Sequence, residues 1–406
     1  MENDVVYDWN QQDAKWSLST VKVHDETLRD GIQCPSVTDP NIDIKLQVVR
    51  RLASLGIHSV NVGLPGAGQR AVDDSEKLVE LIRDESLPIR PTCAARTHPR
   101  DIQPIIEMTQ RTGVPIEIMT FLGSSPIRML AESWGEDRLL QLTRDAVRLG
   151  VQAGLPVSFV TEDTVRSHPD TLRKLFDIAI EEGATGLVLC DTVGHSTPTG
   201  VRNLIKFVDE HLREQGVRDR VGLDWHGHSD RGLSLINALV AVEAGCDRIH
   251  GTLLGVGERV GNTPLDLLLV NLKLEGHEDH DLTGLGELVD LVSEHVEVPI
   301  PVSYPVFGRD AFRTGTGVHA AAVIKAREKG DDWLADRIYS GVPASWFGRQ
   351  QEIEIGHQSG VSNVKFWLKS RGIEPSDTLI EAIFTAAKSQ DRMLSNDEVM
   401  RIVQHV

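Results

Sequence analysis

From residue 21 onward the chain repeats one beat: a short apolar run, a loop, then an amphipathic stretch. Eight runs read as strands: 21–26, 59–64, 89–95, 115–121, 156–162, 186–191, 221–227 and 248–255. They are short, and several are rich in Val and Ile, the pattern of strands covered on both faces. The stretches between them carry helix punctuation. IDIKLQVVRRLASLG (42–56) closes on Gly56, EDRLLQLTRDAVRLGVQAG (136–154) on Gly154, and HPDTLRKLFDIAIEEG (168–183) places Pro169 in its first turn and Gly183 at its end. Eight strand–helix units in series predict an α/β fold, a closed (β/α)8 TIM barrel over residues 21–280. An open doubly wound sheet is the alternative, but such sheets commonly have fewer strands and often a Gly-rich first turn, which is absent here. After about residue 280 the beat breaks. One helix is expected within 281–298, then a Pro-rich extended segment, then two or three helices. Residues 281–406 therefore read as a small, mainly helical C-terminal subdomain, and residues 1–20 as an N-terminal arm.

The charge balance narrows the partners. Sixty Asp and Glu stand against 42 Lys and Arg, a formal net charge of −18. So acidic a surface repels phosphate backbones and anionic lipid, which argues against nucleic acid and membrane as partners. It leaves room for an anionic small substrate in a locally positive cleft. The four cysteines, Cys34, Cys93, Cys190 and Cys246, form no CxxC pair, which suits a reducing cytoplasm rather than a disulfide scaffold. The polar, acidic N-terminus has no apolar signal-peptide core, and no apolar run is long enough to span a bilayer.

In a barrel of this kind, chemistry gathers at the C-terminal ends of the strands. Strand one ends in HDETLRDG (24–31), which puts Arg29 and Asp30 at the mouth. Strand seven ends in DWHGHSD (224–230). His226 and His228 are two apart on an extended segment, so both rings face the same way. With Asp30 they offer two nitrogens and a carboxylate oxygen to a divalent cation such as Mg2+, Mn2+ or Zn2+. An isolated HxH is more often incidental, but this position favours the ligand reading. The loop after strand eight, GTLLGVGERVGN (251–262), has glycines, Gly257 among them, that let backbone amides approach an anion, and Asn262 at its end. A flexible loop is the bland alternative. Glu162 ends strand five, and Asp191 and Thr192 end strand six. A carboxylate in such a place serves equally well as a helix cap.

Taken in order, DETLRDG, FVTEDT, DTVG, HGHSD and GVGERVGN resemble the DRE-TIM metallolyases, in particular the Claisen-condensing branch of isopropylmalate, homocitrate and citramalate synthases. PVFGRDAFRTGTGVHAAA and IYSGVPASWFG are similar to that branch's helical subdomain. The likeness spans roughly residues 20–365. It implies Asp30, His226 and His228 as metal ligands, with Asn262 in or near the coordination shell. It implies Arg29 as the stabiliser of charge on the substrate oxygen, Glu162 and His319 for acid–base steps, Tyr339 in support, and Thr192 on the carboxylate of a 2-oxo acid. It further implies acetyl-CoA as co-substrate and a domain-swapped homodimer in which His319 and Tyr339 reach the partner's barrel.

The departures concern the acceptor. Met119 stands where the synthases commonly have a His, Val160 where many have a Ser, and Ser158 where homocitrate synthases have an Arg. Core packing is an equal reading of Met119 and Val160. As pocket residues they suit an apolar side chain: 2-oxoisovalerate, or a bulkier aliphatic or aromatic acceptor such as phenylpyruvate. Citramalate-, benzylmalate- or homocitrate-type acceptors are the alternatives. A carbon–carbon lyase of the same fold would carry a Cys in the loop after strand eight, where this chain has Leu253 and Leu254. A non-catalytic metabolite-binding barrel would be expected to have lost part of the set Arg29, Asp30, His226 and His228. The chain stops about where the family's leucine-regulatory domain would begin, so no such domain is expected.

Overall fold

The computed structural model describes residues 5–7 and 21–406. The expected N-terminal arm, but for residues 5–7, lies outside them. Eight parallel strands close on themselves in sequence order: β1 Lys22–Asp25, β2 Ser59–Asn61, β3 Arg90–Arg96, β4 Glu117–Gly123, β5 Val157–Glu162, β6 Gly186–Asp191, β7 Gly222–Gly227 and β8 Arg248–Gly251. β8 pairs with β1 and closes the ring, with Lys22 beside Arg248 and His24 beside His250. The fold is a (β/α)8 TIM barrel.

Local chemistry sets the borders. The helices Ile42–Ser54, Glu136–Gln152 and Pro169–Glu181 stop where Gly56, Gly154 and Gly183 take positive φ. Asn41, Ser125 and Thr197 cap helix N-termini, their side chains accepting from the backbone amide three residues on. β8 ends at Gly251 rather than running to 255, because Leu253–Gly255 turns into a 3-10 segment with Leu254 at φ 57°.

The barrel's lower end is closed by charge as well as by apolar packing. Arg248, at the start of β8, donates to Glu117 at the start of β4 and to Asp224 on β7, with contacts of 2.6 Å to each. Ser158 adds a 2.6 Å hydrogen bond to Glu117. Asp224 and Arg248 are buried, so only this mutual pairing makes the charges tolerable there.

The described residues up to His280 together with Leu291–Val298 form one compact unit, and Asp281–Asp290 with Pro299–Val406 a second. The second holds five helices after residue 300, Gly317–Glu328, Asp332–Arg337, Val361–Lys369, Asp377–Lys388 and Asn396–His405, rather than two or three. Each is short, and glycine or capping serine breaks up what reads in sequence as longer helices. Val364, Trp367, Leu368, Ile380 and Ile383 make its core.

Candidate metal and substrate site

Asp30, His226 and His228 come together at the barrel mouth. Asp30 lies five residues past β1, where the chain turns into the 3-10 segment Gly31–Gln33. His226 is on β7 and His228 just beyond it. The Nε2 atoms of the two rings are 3.3 Å apart, and each faces Asp30 Oδ2, at 3.3 Å from His226 and 3.5 Å from His228. All three side chains are buried. Burial, followed by the neighbouring His226, lowers the His228 pKa to about 3, so its ring is neutral and a lone pair is available. Burial works the other way on Asp30, but Arg29 and the two imidazoles outweigh it and hold the carboxyl well below the usual range.

The donor set fits a divalent cation. Two imidazole nitrogens and a carboxylate oxygen lie within 4.8 Å of one another. Asn262, bridged to His228 across the loop after β8, donates Nδ2 to Asp30 Oδ2 at 2.9 Å, while its buried Oδ1 makes no hydrogen bond. Gly257 packs against this amide: a Cβ there would come within 2.4 Å of Asn262 Nδ2. The close approach explains the glycine by packing on Asn262.

Arg29 flanks the cluster. Its Nη1 is 3.2 Å from Asp30 Oδ1, and its Nη2 and Nε reach Glu26 Oε2 at 2.6 and 2.8 Å. Beside it opens a cavity lined by Met119, Phe121, Val160 and Val188 as well as by Arg128, Glu162 and Thr192. Met119, Val160, Val188 and Cys190 form one small apolar cluster facing this space. Burial raises the Glu162 pKa, with only Arg128 pulling it appreciably back. Thr192 Oγ1 accepts from the Asp163 amide at 2.8 Å, which leaves its hydroxyl proton to donate elsewhere. Asp191 is occupied as a loop anchor, accepting from the amides of His195 at 2.7 Å and Ser196 at 3.1 Å. His319 and Tyr339 lie in the second compact unit, both exposed, with rings stacked at a centroid distance of 4.2 Å.

Three buried residues of the barrel interior are not singled out by the sequence: His24, Glu26 and His250. A lone histidine in an apolar strand reads as core, yet the signal was present. His24 and Glu26 are two apart on an extended segment, as His226 and His228 are.

Residues 20–292 match the family model described as HMGL-like. The chain belongs to the HMGL-like family. It is 30% identical to 2-isopropylmalate synthase of Sulfolobus acidocaldarius, covering 91% of this chain and 90% of that one. It is 29% identical to homocitrate synthase AksA of Methanothermobacter thermautotrophicus over 95% of this chain and 94% of that one. Among solved structures, the lyase for HMG-CoA from Brucella melitensis superposes with a TM-score of 0.56 at 17% identity, covering 69% of this chain and 99% of that one. That likeness speaks for the barrel fold alone. The curated relatives are synthases of the Claisen-condensing branch, and this HMGL-like chain is an enzyme of that acyl-transferring kind. Among the described residues no helix is long and apolar enough to cross a membrane.

Proposed function

We propose that this enzyme condenses acetyl-CoA with a 2-oxo acid bearing an apolar side chain, giving a 2-substituted malate and free CoA. One observation carries the reading: in a chain of this family, Asp30, His226 and His228 converge beside Arg29 at the edge of an apolar-walled cavity. A divalent cation held by Asp30, His226 and His228, with Asn262 beside them, would supply Lewis-acid polarisation of the acceptor's ketone.

The chain's own groups do the rest. Arg29, fixed by Glu26 and Asp30, presents a permanent positive charge where the ketone oxygen becomes negative. Thr192 donates its free hydroxyl proton to the acceptor carboxylate. Met119 and Val160 enclose the acceptor side chain, which is why 2-oxoisovalerate or a bulkier 2-oxo acid suits the cavity. Burial brings Glu162 closer to neutrality, as an acid–base group requires. His319, stacked on Tyr339, accepts the proton lost by the acetyl methyl group. In this reading both residues act in the barrel of a partner subunit, in a domain-swapped homodimer. The methyl carbon then bonds to the ketone carbon, and water cleaves the thioester and leaves CoA as the free thiol. The helical C-terminal subdomain of residues 281–406 thus serves the barrel of residues 21–280.

A second reading, an acceptor with a distal carboxylate, rests on Arg128, which also lines the cavity. Thiol release measured with acetyl-CoA and Mg2+, Mn2+ or Zn2+ separates the two. Turnover is expected with 2-oxoisovalerate or phenylpyruvate and to exceed that with 2-oxoglutarate. Release with 2-oxoglutarate alone would establish the second reading, and release with none of them would refute both.

A further inference from the structure

Below the mouth, β1 and β8 meet where the barrel closes, and there His24 and His250 stand side by side in register. Each ring is pinned at one nitrogen. His24 Nδ1 is 2.8 Å from Ser59 Oγ, and His250 Nε2 is 3.2 Å from Asp224 Oδ2. Each thereby turns its other nitrogen toward a single atom, Glu26 Oε1, at 3.2 Å from His24 Nε2 and 3.4 Å from His250 Nδ1. Among the described residues neither nitrogen has a polar partner other than that one carboxylate oxygen, although both are buried in the barrel interior. The second oxygen of Glu26 is taken by Arg29.

We propose that His24, Glu26 and His250 form a second divalent-cation site, separate from the one at Asp30, His226 and His228. The ligand atoms lie within 4.8 Å of one another, as they do at the mouth. The two separations to Glu26 Oε1, 3.2 and 3.4 Å, match the roughly 3.3 Å expected between neighbouring ligands each about 2.0–2.1 Å from a tetrahedral cation. Imidazoles turned inward by an oxygen partner on the opposite nitrogen are the usual support of a metal site. Two nitrogens and one carboxylate favour a borderline cation such as Zn2+ over Mg2+. Arg29 stands between the two clusters, one nitrogen on Asp30 and another on Glu26, and so keeps two like-charged ions apart. Glu26 and His250 line the mouth cavity, which gives an ion its way in. An ion there clips the first strand to the last.

The proposal stands apart from the acyl-transfer reading, and its test needs no turnover. The full chain is stripped with a chelator and equilibrated with Zn2+ by dialysis, and metal is measured per chain. Two ions are expected in the wild type, one in His228→Gln, and one in His24→Gln or Glu26→Gln. Zn2+ should still raise the melting midpoint of His228→Gln and should leave that of the His24→Gln/His228→Gln double variant unmoved. Ser59→Ala, which frees the His24 ring without removing a ligand, should weaken the second ion's affinity about 10–100-fold. It serves if the ligand variants do not fold. Saturation of the wild type at one ion, retention of two ions in His24→Gln, or unchanged affinity in Ser59→Ala would overturn the site.

Discussion

The two ends of the barrel's strands each hold a charged cluster, and these two are built on opposite principles. At the floor, Arg248 sits between Glu117 and Asp224, so every charge meets its complement within the protein. At the mouth, two imidazoles and a carboxylate point at one another, with too few protons among them to link every pair. The floor is complete as it stands, while the mouth has the arrangement that the proposed cation would need. A buried polar cluster with its charges paired serves closure of the fold, and one whose lone pairs converge serves binding.

Substitutions at the two ends should therefore separate activity from stability. Asp30→Ala should lower kcat/KM by about 10³-fold or more, the several kcal/mol that Lewis-acid assistance supplies. Its melting midpoint in chelator should stay close to the wild type's, and a large drop would place Asp30 with the floor. Arg248→Met should do the reverse. Leaving Glu117 and Asp224 buried without their cation costs about 3–5 kcal/mol in denaturant unfolding, with activity per folded molecule largely kept. A variant as stable as the wild type would break the contrast.

The cavity wall gives a smaller, sharper test. Val160 is half-buried and faces the cavity, so Val160→Ala should cost less than about 1 kcal/mol of stability. It should shift kcat/KM toward a bulkier acceptor by about tenfold, the usual weight of a methylene or two in an apolar pocket. Unchanged selectivity would return Val160 to core packing. Smallest of all is a pH effect. Glu162 is raised above the ordinary Glu range by burial, and its working form as a base is the anion. The rate should therefore rise with pH through that elevated value, and Glu162→Gln should remove this acid limb. A limb that persists in the variant assigns it to another group.

Much of this was legible in the residues. Strands covered on both faces declare themselves by Val- and Ile-rich runs, and helix ends by Gly56, Gly154 and Gly183. Strand order in a barrel follows sequence order, so the pairing of His226 and His228 with Asp30 could be inferred from position. What stayed hidden depends on contacts across the barrel interior. Nothing in the sequence pairs His24 with His250, 226 positions away. The early end of β8 comes from the positive φ of Leu254, which its residue type does not announce. Gly257 reads as an anion-loop glycine, and its close packing on the Asn262 amide is a second demand that the residue type does not announce.

The mouth cluster draws one partner from just past the first strand and the others from the seventh strand and the loop after the eighth, so that Asn262 and Asp30 meet across 232 positions. No nascent or truncated stretch of the barrel possesses such a binding centre, since it comes into being only when the last strand docks on the first. A cation held between Asp30 and His226, as proposed, would thus reward the closed ring and no open form. At a hundredfold excess over its dissociation constant such a ligand adds about 2.7 kcal/mol to stability, so occupancy and ring closure report on each other.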